Sequence, residues 1–263
     1  MNLTFSKYSG LGNDFILIDN RDRRIALPNP EAVKRACQRR LGIGADGVIF
    51  LESSDKADVK MRIFNADGSE AEMCGNGIRC LMKFMQELGM PKKPYNIEVH
   101  NRILSGRFED GLIGIDMGVP TEIRWNMNVE GNSLDFLDTG VPHAVVFVQD
   151  LLHYDVENAG RALRGHKAFA PKGTNATFAE IHSPGRLLFR TYERGVEAET
   201  LACGTGAAAA AFAYRHREEC PNTLTVENKL GEKMAFRIDN DSHIHMIGPA
   251  NHVYTGRFLF ENN

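Results

Sequence analysis

Short apolar runs broken by Gly, Asp or Asn recur along the first half of the chain. Residues 15–19, 48–51, 59–64, 97–99 and 112–117 read as strands on that pattern. One segment keeps a different period. Ile78, Leu81, Met82, Met85 and Leu88 fall at i, i+3, i+4, i+7 and i+10, an amphipathic helix face closed by Gly89 and Pro91. A second stretch, residues 207–214, is apolar all round, as expected of a helix enclosed by sheet. A cysteine stands just ahead of each helix, Cys74 in E-M-C-G-N-G and Cys203 in L-A-C-G-T-G.

The matched cysteines put the rest of the chain in step. Gly44 lies 30 residues before Cys74 and Gly173 lies 30 before Cys203. Gly12 and Gly140 precede their cysteines by 62 and 63, and Met117 and Met246 each follow by 43. Val99 and Val226 follow by 25 and 23. Five ordered matches indicate a two-unit repeat, hence two similar lobes and not a solenoid. The expected fold is α+β: two pseudo-symmetric lobes, each a curved, mainly antiparallel sheet or barrel around a central helix. A cysteine at the mouth of each helix places the active site in the cleft between lobes.

Composition narrows the function. Of 263 residues, 43% are hydrophobic and 25% charged, with a net charge of −3, an ordinary globular balance without a nucleic-acid or membrane-surface footprint. The densest basic run, residues 34–40, reads as a solvated helix face. The longest apolar run is far short of the ~18 residues that span a bilayer. The N-terminus shows no leader pattern, so a soluble, cytoplasmic protein is expected. Five cysteines (Cys37, Cys74, Cys80, Cys203, Cys220), odd in number and unevenly spaced, argue against a disulfide framework. No C-x-x-C or close Cys/His spacing suggests a metal site.

A thiol before a helix N-terminus feels the positive end of the dipole and unpaired N–H groups, which favour thiolate. One such cysteine suggests a nucleophile. Two in matched settings suggest paired acid/base groups serving one substrate from two sides.

At this level of detail the chain resembles the diaminopimelate epimerase family. The residues that carry the likeness are G-L-G-N-D-F-I, G-I-G-A-D-G, F-N-A-D-G-S-E-A-E-M-C-G-N-G-I-R-C, K-G-T-N-A-T-F and Y-E-R-G-V-E-A-E-T-L-A-C-G-T-G-A, spanning nearly the whole chain in order. Proline racemases of the same superfamily usually carry His at the position of Asn76. The resemblance implies a pyridoxal-independent isomerase, needing no cofactor and no metal, that converts L,L-2,6-diaminopimelate to the meso form for lysine and peptidoglycan precursors. It also implies a homodimer and a C-terminal segment returning to the first lobe, giving residues 1–118 plus 250–263 around Cys74 and 119–249 around Cys203.

By that resemblance Cys74 and Cys203 are the catalytic bases. Asn13, Asn65, Asn175, Glu193 and Arg194 bind the ends of a small amino-acid substrate, and His143 and Glu193 assist the thiols. The amides of Gly75, Asn76, Gly204 and Thr205, at the two helix starts, can receive charge developing on the substrate carboxylate. Plainer readings stand beside these. Asn65-Ala66-Asp67-Gly68 is also a strong turn signal, and His143 alone would read as structural. Cys37 and Cys220 read as inert, as does Cys80 inside the helix. The chain departs from the family at Gly140-Val141-Pro142-His143, where the pattern is G-N-P-H, so Val141 brings no hydrogen bond. The alternatives are a broader acidic amino-acid racemase and, more remotely, a thiol redox or metal-binding protein.

Overall fold

In the computed structural model, described over residues 2–71, 73–201 and 203–260, strands alternate with four α-helices. The order begins β1 (Asn2–Gly10), β2 (Asn13–Asn20), α1 (Pro30–Cys37), β3 (Gly47–Glu52), β4 (Val59–Asn65), α2 (Gly75–Glu87), β5 (Tyr95–Val99), β6 (Arg102–Glu109) and β7 (Leu112–Asp116). It continues with β8 (Thr121–Val129), β9 (Asn132–Asp138), β10 (Pro142–Phe147), α3 (Val156–Arg164), β11 (Asn175–Ser183), β12 (Arg186–Glu193) and β13 (Ala198–Thr200). The chain ends with α4 (Gly204–Arg217), β14 (Thr223–Glu227), β15 (Lys233–Ile238), β16 (Ile244–Gly248) and β17 (Asn251–Leu259). It divides into two units, residues 1–115 with 248–263, and residues 116–247. No helix among the described residues is long and apolar enough to cross a membrane.

In the first unit β2 pairs parallel with β3, β3 antiparallel with β4, and β4 parallel with β5. β1 joins β2 and takes β17 on its other side, both antiparallel. The apolar runs in β2 and β3 do not alternate with polar residues because both faces of these strands are covered. Ile16, Ile18, Val48 and Phe50 pack in one core with Ala32, Val33 and Ala36 of α1. That helix starts at Asn29, whose side chain accepts the Ala32 amide at 2.8 Å, with Pro30 in the first turn. The alternate residues, among them Ile49 and Ile63, reach α2 at Gly77.

The second unit repeats this plan at a constant offset. β10 pairs parallel with β11, β11 antiparallel with β12, and β12 parallel with β14. Phe15 lies opposite Gly47 as His143 lies opposite Asn175, and Ile49 faces Ile63 as Thr177 faces Thr191. One core joins Val146, Ala176 and Phe178 to Val156 and Leu163 of α3. The α3 backbone comes so near β12 that a Cβ at Gly160 would stand 2.3 Å from Cβ of Tyr192, so glycine is needed there for closeness. On the other face lies α4, in which Ala207 to Ala211 and Ala213 are fully buried.

Two helices differ from the sequence expectation. α2 is buried well beyond its apolar stripe, since Asn76 and Arg79 are buried as well. Their side chains find hydrogen-bond partners, which allows polar groups on a covered face. α4 begins three residues earlier than its apolar run, because Gly204, Thr205 and Gly206 form its first turn. The strands 15–19, 48–51, 59–64 and 97–99 lie within β2 to β5, and 112–117 runs one residue past β7.

Candidate active site

Each of the two cysteines caps a helix. Cys74 precedes α2 and Cys203 precedes α4, both with extended backbone, so each sulphur lies beside first-turn amides that have no acceptor within the helix. Ile78 and Ala207 donate back to the Cys74 and Cys203 carbonyls, leaving the Gly75, Asn76, Gly204 and Thr205 amides at the open end. Thus the candidate anion donors accompany both thiols.

Around Cys74 the polar groups come from β2 and α2. Its Sγ accepts the Gly77 amide at 3.3 Å and stands 3.8 Å from Asn13 Oδ1. The same Asn13 oxygen accepts Asn76 Nδ2 at 3.3 Å, and Asn76 Oδ1 accepts Arg79 at 2.9 Å. Asn13 is oriented from behind, its Nδ2 donating to Asp46 at 2.7 Å. Arg39 in turn bonds both Asp46 and Asp14. Burial alone would raise Asp14, but Arg39 and Lys7 outweigh it and hold that carboxyl below its usual range. Arg79 is fully buried, and that desolvation lowers its pKa despite the opposing influence of the Cys80 and then the Cys74 sulphur.

Cys203 has different neighbours. It is 6% exposed, and its pKa lies well above that of an ordinary thiol because burial and then the Glu193 carboxylate oppose ionisation. The Thr205 hydroxyl, 3.5 Å away, and the Gly206 amide pull the other way without prevailing. That amide makes no aligned cap hydrogen bond, unlike Gly77 at Cys74. The expectation that both thiols are acidified by their helices therefore needs correcting at Cys203, where desolvation and a carboxylate exceed the dipole. Glu193 itself accepts the Thr200 hydroxyl.

Among the described residues, His143 is linked to Cys203 through Thr205. Its Nε2 lies 2.9 Å from Thr205 Oγ1 and its Nδ1 lies 2.9 Å from Thr177 Oγ1, which continues to Thr191 Oγ1 at 3.2 Å. The ring is completely buried; desolvation, followed by the charge of Arg194, depresses its pKa to about 3, so it is neutral at physiological pH.

The remaining predicted residues are placed as follows. Asn175 donates to the Pro142 carbonyl and accepts the Arg194 amide, both at 2.9 Å, tying together the backbone on either side of the site. Arg194 gives one guanidinium nitrogen to the Lys172 carbonyl and pairs with no carboxylate among the described residues. Asn65 ends β4 in a tight turn, its Nδ2 bonded to Ser69 Oγ and its carbonyl accepting the Gly68 amide. Among the described residues no group of three or more His, Cys, Asp or Glu is arranged to hold a metal ion. Cys37 and Cys80 are buried and pushed up to about 12, mainly by desolvation.

Sequence reasoning missed Asp46, Arg79, Thr177, Thr191 and Thr200. A signal for the two inward threonines was present in the repeat: they replace Ile49 and Ile63 at the same offset.

Known proteins show the same chain-long pattern. The sequence pattern of the family described as diaminopimelate epimerase matches residues 5–121 and 136–253. A diaminopimelate epimerase of Synechococcus sp. is 43% identical, covering 97% of this chain and 97% of its own. One of Desulforapulum autotrophicum is 39% identical, covering 98% and 99%. Among solved structures, a phenazine biosynthesis protein of the PhzF family from Bacillus anthracis superposes with a TM-score of 0.74 at 18% identity, over 98% of this chain and 99% of that one. A hydroxyproline epimerase from Agrobacterium vitis gives 0.72 at 15% identity, over 98% and 91%. These two likenesses bear on the fold.

Proposed function

This chain belongs to the diaminopimelate epimerase family, and from that premise we propose that it epimerises L,L-2,6-diaminopimelate to the meso form, with Cys74 and Cys203 as its two proton-transfer groups. The observation that carries the reading is the pair of N-capping cysteines with opposite electrostatic surroundings. Inversion removes the α-hydrogen on one face of the carbon and delivers a proton to the other. That requires one base and one acid at the same time, here one thiolate and one thiol. The Gly77 amide donated to Cys74 Sγ favours a thiolate there, while burial and Glu193 favour the protonated form of Cys203. The reading therefore gives the free enzyme a Cys74 thiolate and a Cys203 thiol.

In the forward sense, one thiolate takes the α-proton and the electron pair moves onto the α-carboxylate. The other thiol then gives its proton to the opposite face, leaving the two cysteines in exchanged states. Reversal needs only the other stereoisomer. The Gly75, Asn76, Gly204 and Thr205 amides would stabilise the carboxylate as its charge grows, and they are fixed by helix geometry before substrate arrives. Arg194 would bind a carboxylate, bidentate pairing being its strongest mode. Asn13, Asn65 and Glu193 would contact the remaining polar groups. Asn175, engaged with two backbone groups, would hold Arg194 and Pro142 in place. The same reading has the enzyme work in the cytoplasm as a homodimer without added cofactor, which fractionation and sedimentation would check.

A broader activity on shorter acidic amino acids has one observation in its favour, the apolar Val141 at the offset of Asn13 in the repeat. The direct test offers purified protein L,L-diaminopimelate and a panel of L-amino acids without pyridoxal phosphate and follows stereochemistry. Inversion of diaminopimelate above all others is expected. No inversion of it would reject the proposal.

A further inference from the structure

We infer that Thr205 is a positioning residue that links His143 to Cys203 through a hydrogen-bonded chain whose direction reverses with the protonation state of the thiol. This inference rests on the proposed acid/base role of Cys203. The chain runs Thr191 Oγ1, Thr177 Oγ1, His143 Nδ1, His143 Nε2, Thr205 Oγ1, Cys203 Sγ, with separations of 3.2, 2.9, 2.9 and 3.5 Å across its four contacts. All of it lies within one structural unit.

A neutral imidazole has one donor and one acceptor, so the two ends of the ring cannot act alike. With the proton on Nδ1, His143 donates to Thr177, and Nε2 accepts the Thr205 hydroxyl. Thr205 then has only lone pairs for Cys203, a setting for the thiol, whose S–H can point to Thr205 or to Glu193. With the proton on Nε2, His143 donates to Thr205, and the Thr205 hydroxyl turns to the sulphur. That arrangement gives a thiolate a donor while Thr177 donates to Nδ1 and Thr191 to Thr177. Each state keeps every member bonded and leaves no charge on the ring. The switch needs no protonation of His143, which its complete burial and the nearby Arg194 disfavour. A donor for the thiolate matters at this site because Glu193 faces the same sulphur with a negative charge.

The packing is built around the chain. A Cβ on Gly206 would stand 2.7 Å from Thr191 Oγ1, 2.9 Å from Thr177 Oγ1 and 3.2 Å from His143 Cε1. The helix therefore rests its bare Cα directly on the three polar groups. At the matching Gly77 the nearest side chains are Ile49 at 3.0 Å and Ile63 at 3.3 Å, so no such chain underlies Cys74. The backbone carbonyl of Thr205 also accepts the Thr139 hydroxyl at 2.9 Å, fixing the residue from the other side.

The test compares Thr205→Val, which keeps the backbone amide and side-chain shape, with Thr205→Ser, which keeps the hydroxyl. Peptide-resolved mass spectrometry follows iodoacetamide labelling of Cys203 against pH, and ¹⁵N shifts of His143 report its tautomer. Thr205→Val should move the labelling midpoint up by about one pH unit, about tenfold less thiolate at a given pH. It should lower kcat roughly tenfold with KM within about threefold, and abolish the pH-linked change in the His143 shifts. Thr205→Ser should restore all three. Thr177→Val, one contact further out, should disturb the shifts while moving the midpoint less. A valine variant with an unmoved midpoint and wild-type His143 shifts would overturn the inference, as would equal losses in the valine and serine variants. Wild-type turnover, and its loss in Cys203→Ala, report separately on the proposed function.

Discussion

The two cysteines share a scaffold and differ in nearly everything that touches it. At one constant offset the first unit carries Phe15, Ile49 and Ile63 where the second carries His143, Thr177 and Thr191. Buried Arg79 has Ala208 as its counterpart, and Asn13 has Val141. The strands keep their register through all of these exchanges, since inward positions accept either an apolar side chain or a fully bonded polar one. Backbone geometry thus sets where a sulphur lies, and the residues under the helix mouth set which form of it is favoured. For a proposed reaction needing a base and an acid together, symmetry of position with asymmetry of lining is the useful combination.

The severest way to break the comparison is to remove one sulphur at a time. Cys74→Ala and Cys203→Ala should each lower epimerisation by roughly a thousandfold or more, the scale of losing an acid/base group. Each should keep the wild-type circular dichroism. Each single variant should still exchange the α-hydrogen with deuterated solvent on the face that retains its thiol. Near-normal epimerisation by either variant would rule out a two-thiol mechanism.

A second substitution asks whether the two helix mouths are packed differently. Gly206→Ala forces a methyl against two threonine hydroxyls held by β-branched side chains in a strand. Gly77→Ala meets the terminal methyls of Ile49 at 3.0 Å and Ile63 at 3.3 Å, groups that can swing aside, and Cβ of Cys74 at 3.4 Å. Overpacking of the first kind costs about 1–3 kcal/mol. Gly206→Ala should therefore lose more stability in urea titration than Gly77→Ala, and activity with it. Equal losses would mean that the lining beneath the two helices matters less than its chemistry suggests.

Much of this was readable before any coordinates. Strands with continuous apolar runs, the helix face at 78–88 and the repeat itself all come from patterns that local physics enforces. The basic run at 34–40 reads as a helix face and overlaps the end of α1, whose Lys34 and Arg35 are exposed, but the start of α1 and all of α3 carry too short an apolar stripe to be read. β8 is missing from that reading although Ile123, Trp125, Met127 and Val129 alternate with polar residues, and most of its side chains are exposed. At the site, the motif glycines and cysteines identify the helix mouths. The acidity of Cys203 was misjudged because the dipole is a local property while burial and Glu193 are brought by tertiary structure. His143 was recognised, but its route through Thr205 depends on which strand faces which helix.

The electrostatic half of the comparison is sharpened by Glu193→Gln. Epimerisation should follow a bell in pH if one thiol must be ionised and the other protonated. On the present reading the basic limb belongs to Cys203, which must keep its proton. Glu193 raises that pKa by opposing the thiolate, so removing its charge lowers it. The basic limb should then move to lower pH by about one unit, while Gln still accepts the Thr200 hydroxyl. An unmoved basic limb, or one shifted upward, would assign it to another group.

The mildest effect is expected at Val141, the counterpart of Asn13 in the repeat. In the first unit Asn13 gives its oxygen to Asn76 and approaches Cys74, while Asp46 holds its other end. Val141 offers only backbone, its carbonyl accepting the Thr139 amide at 3.3 Å. A site that hydrogen-bonds a substrate group rejects analogues lacking it, because its own polar atoms are then left unpaired. Valine has no such atoms, so on the proposed function some racemisation of shorter acidic amino acids is expected in the wild type. Val141→Asn should raise the ratio of kcat/KM for diaminopimelate over L-glutamate by about tenfold, within the range one hydrogen bond can supply. The two ratios, measured side by side, decide it. A wild type inert toward glutamate, together with a ratio unchanged by asparagine, would show that discrimination of the distal group is supplied elsewhere, with Arg194 the first residue to examine.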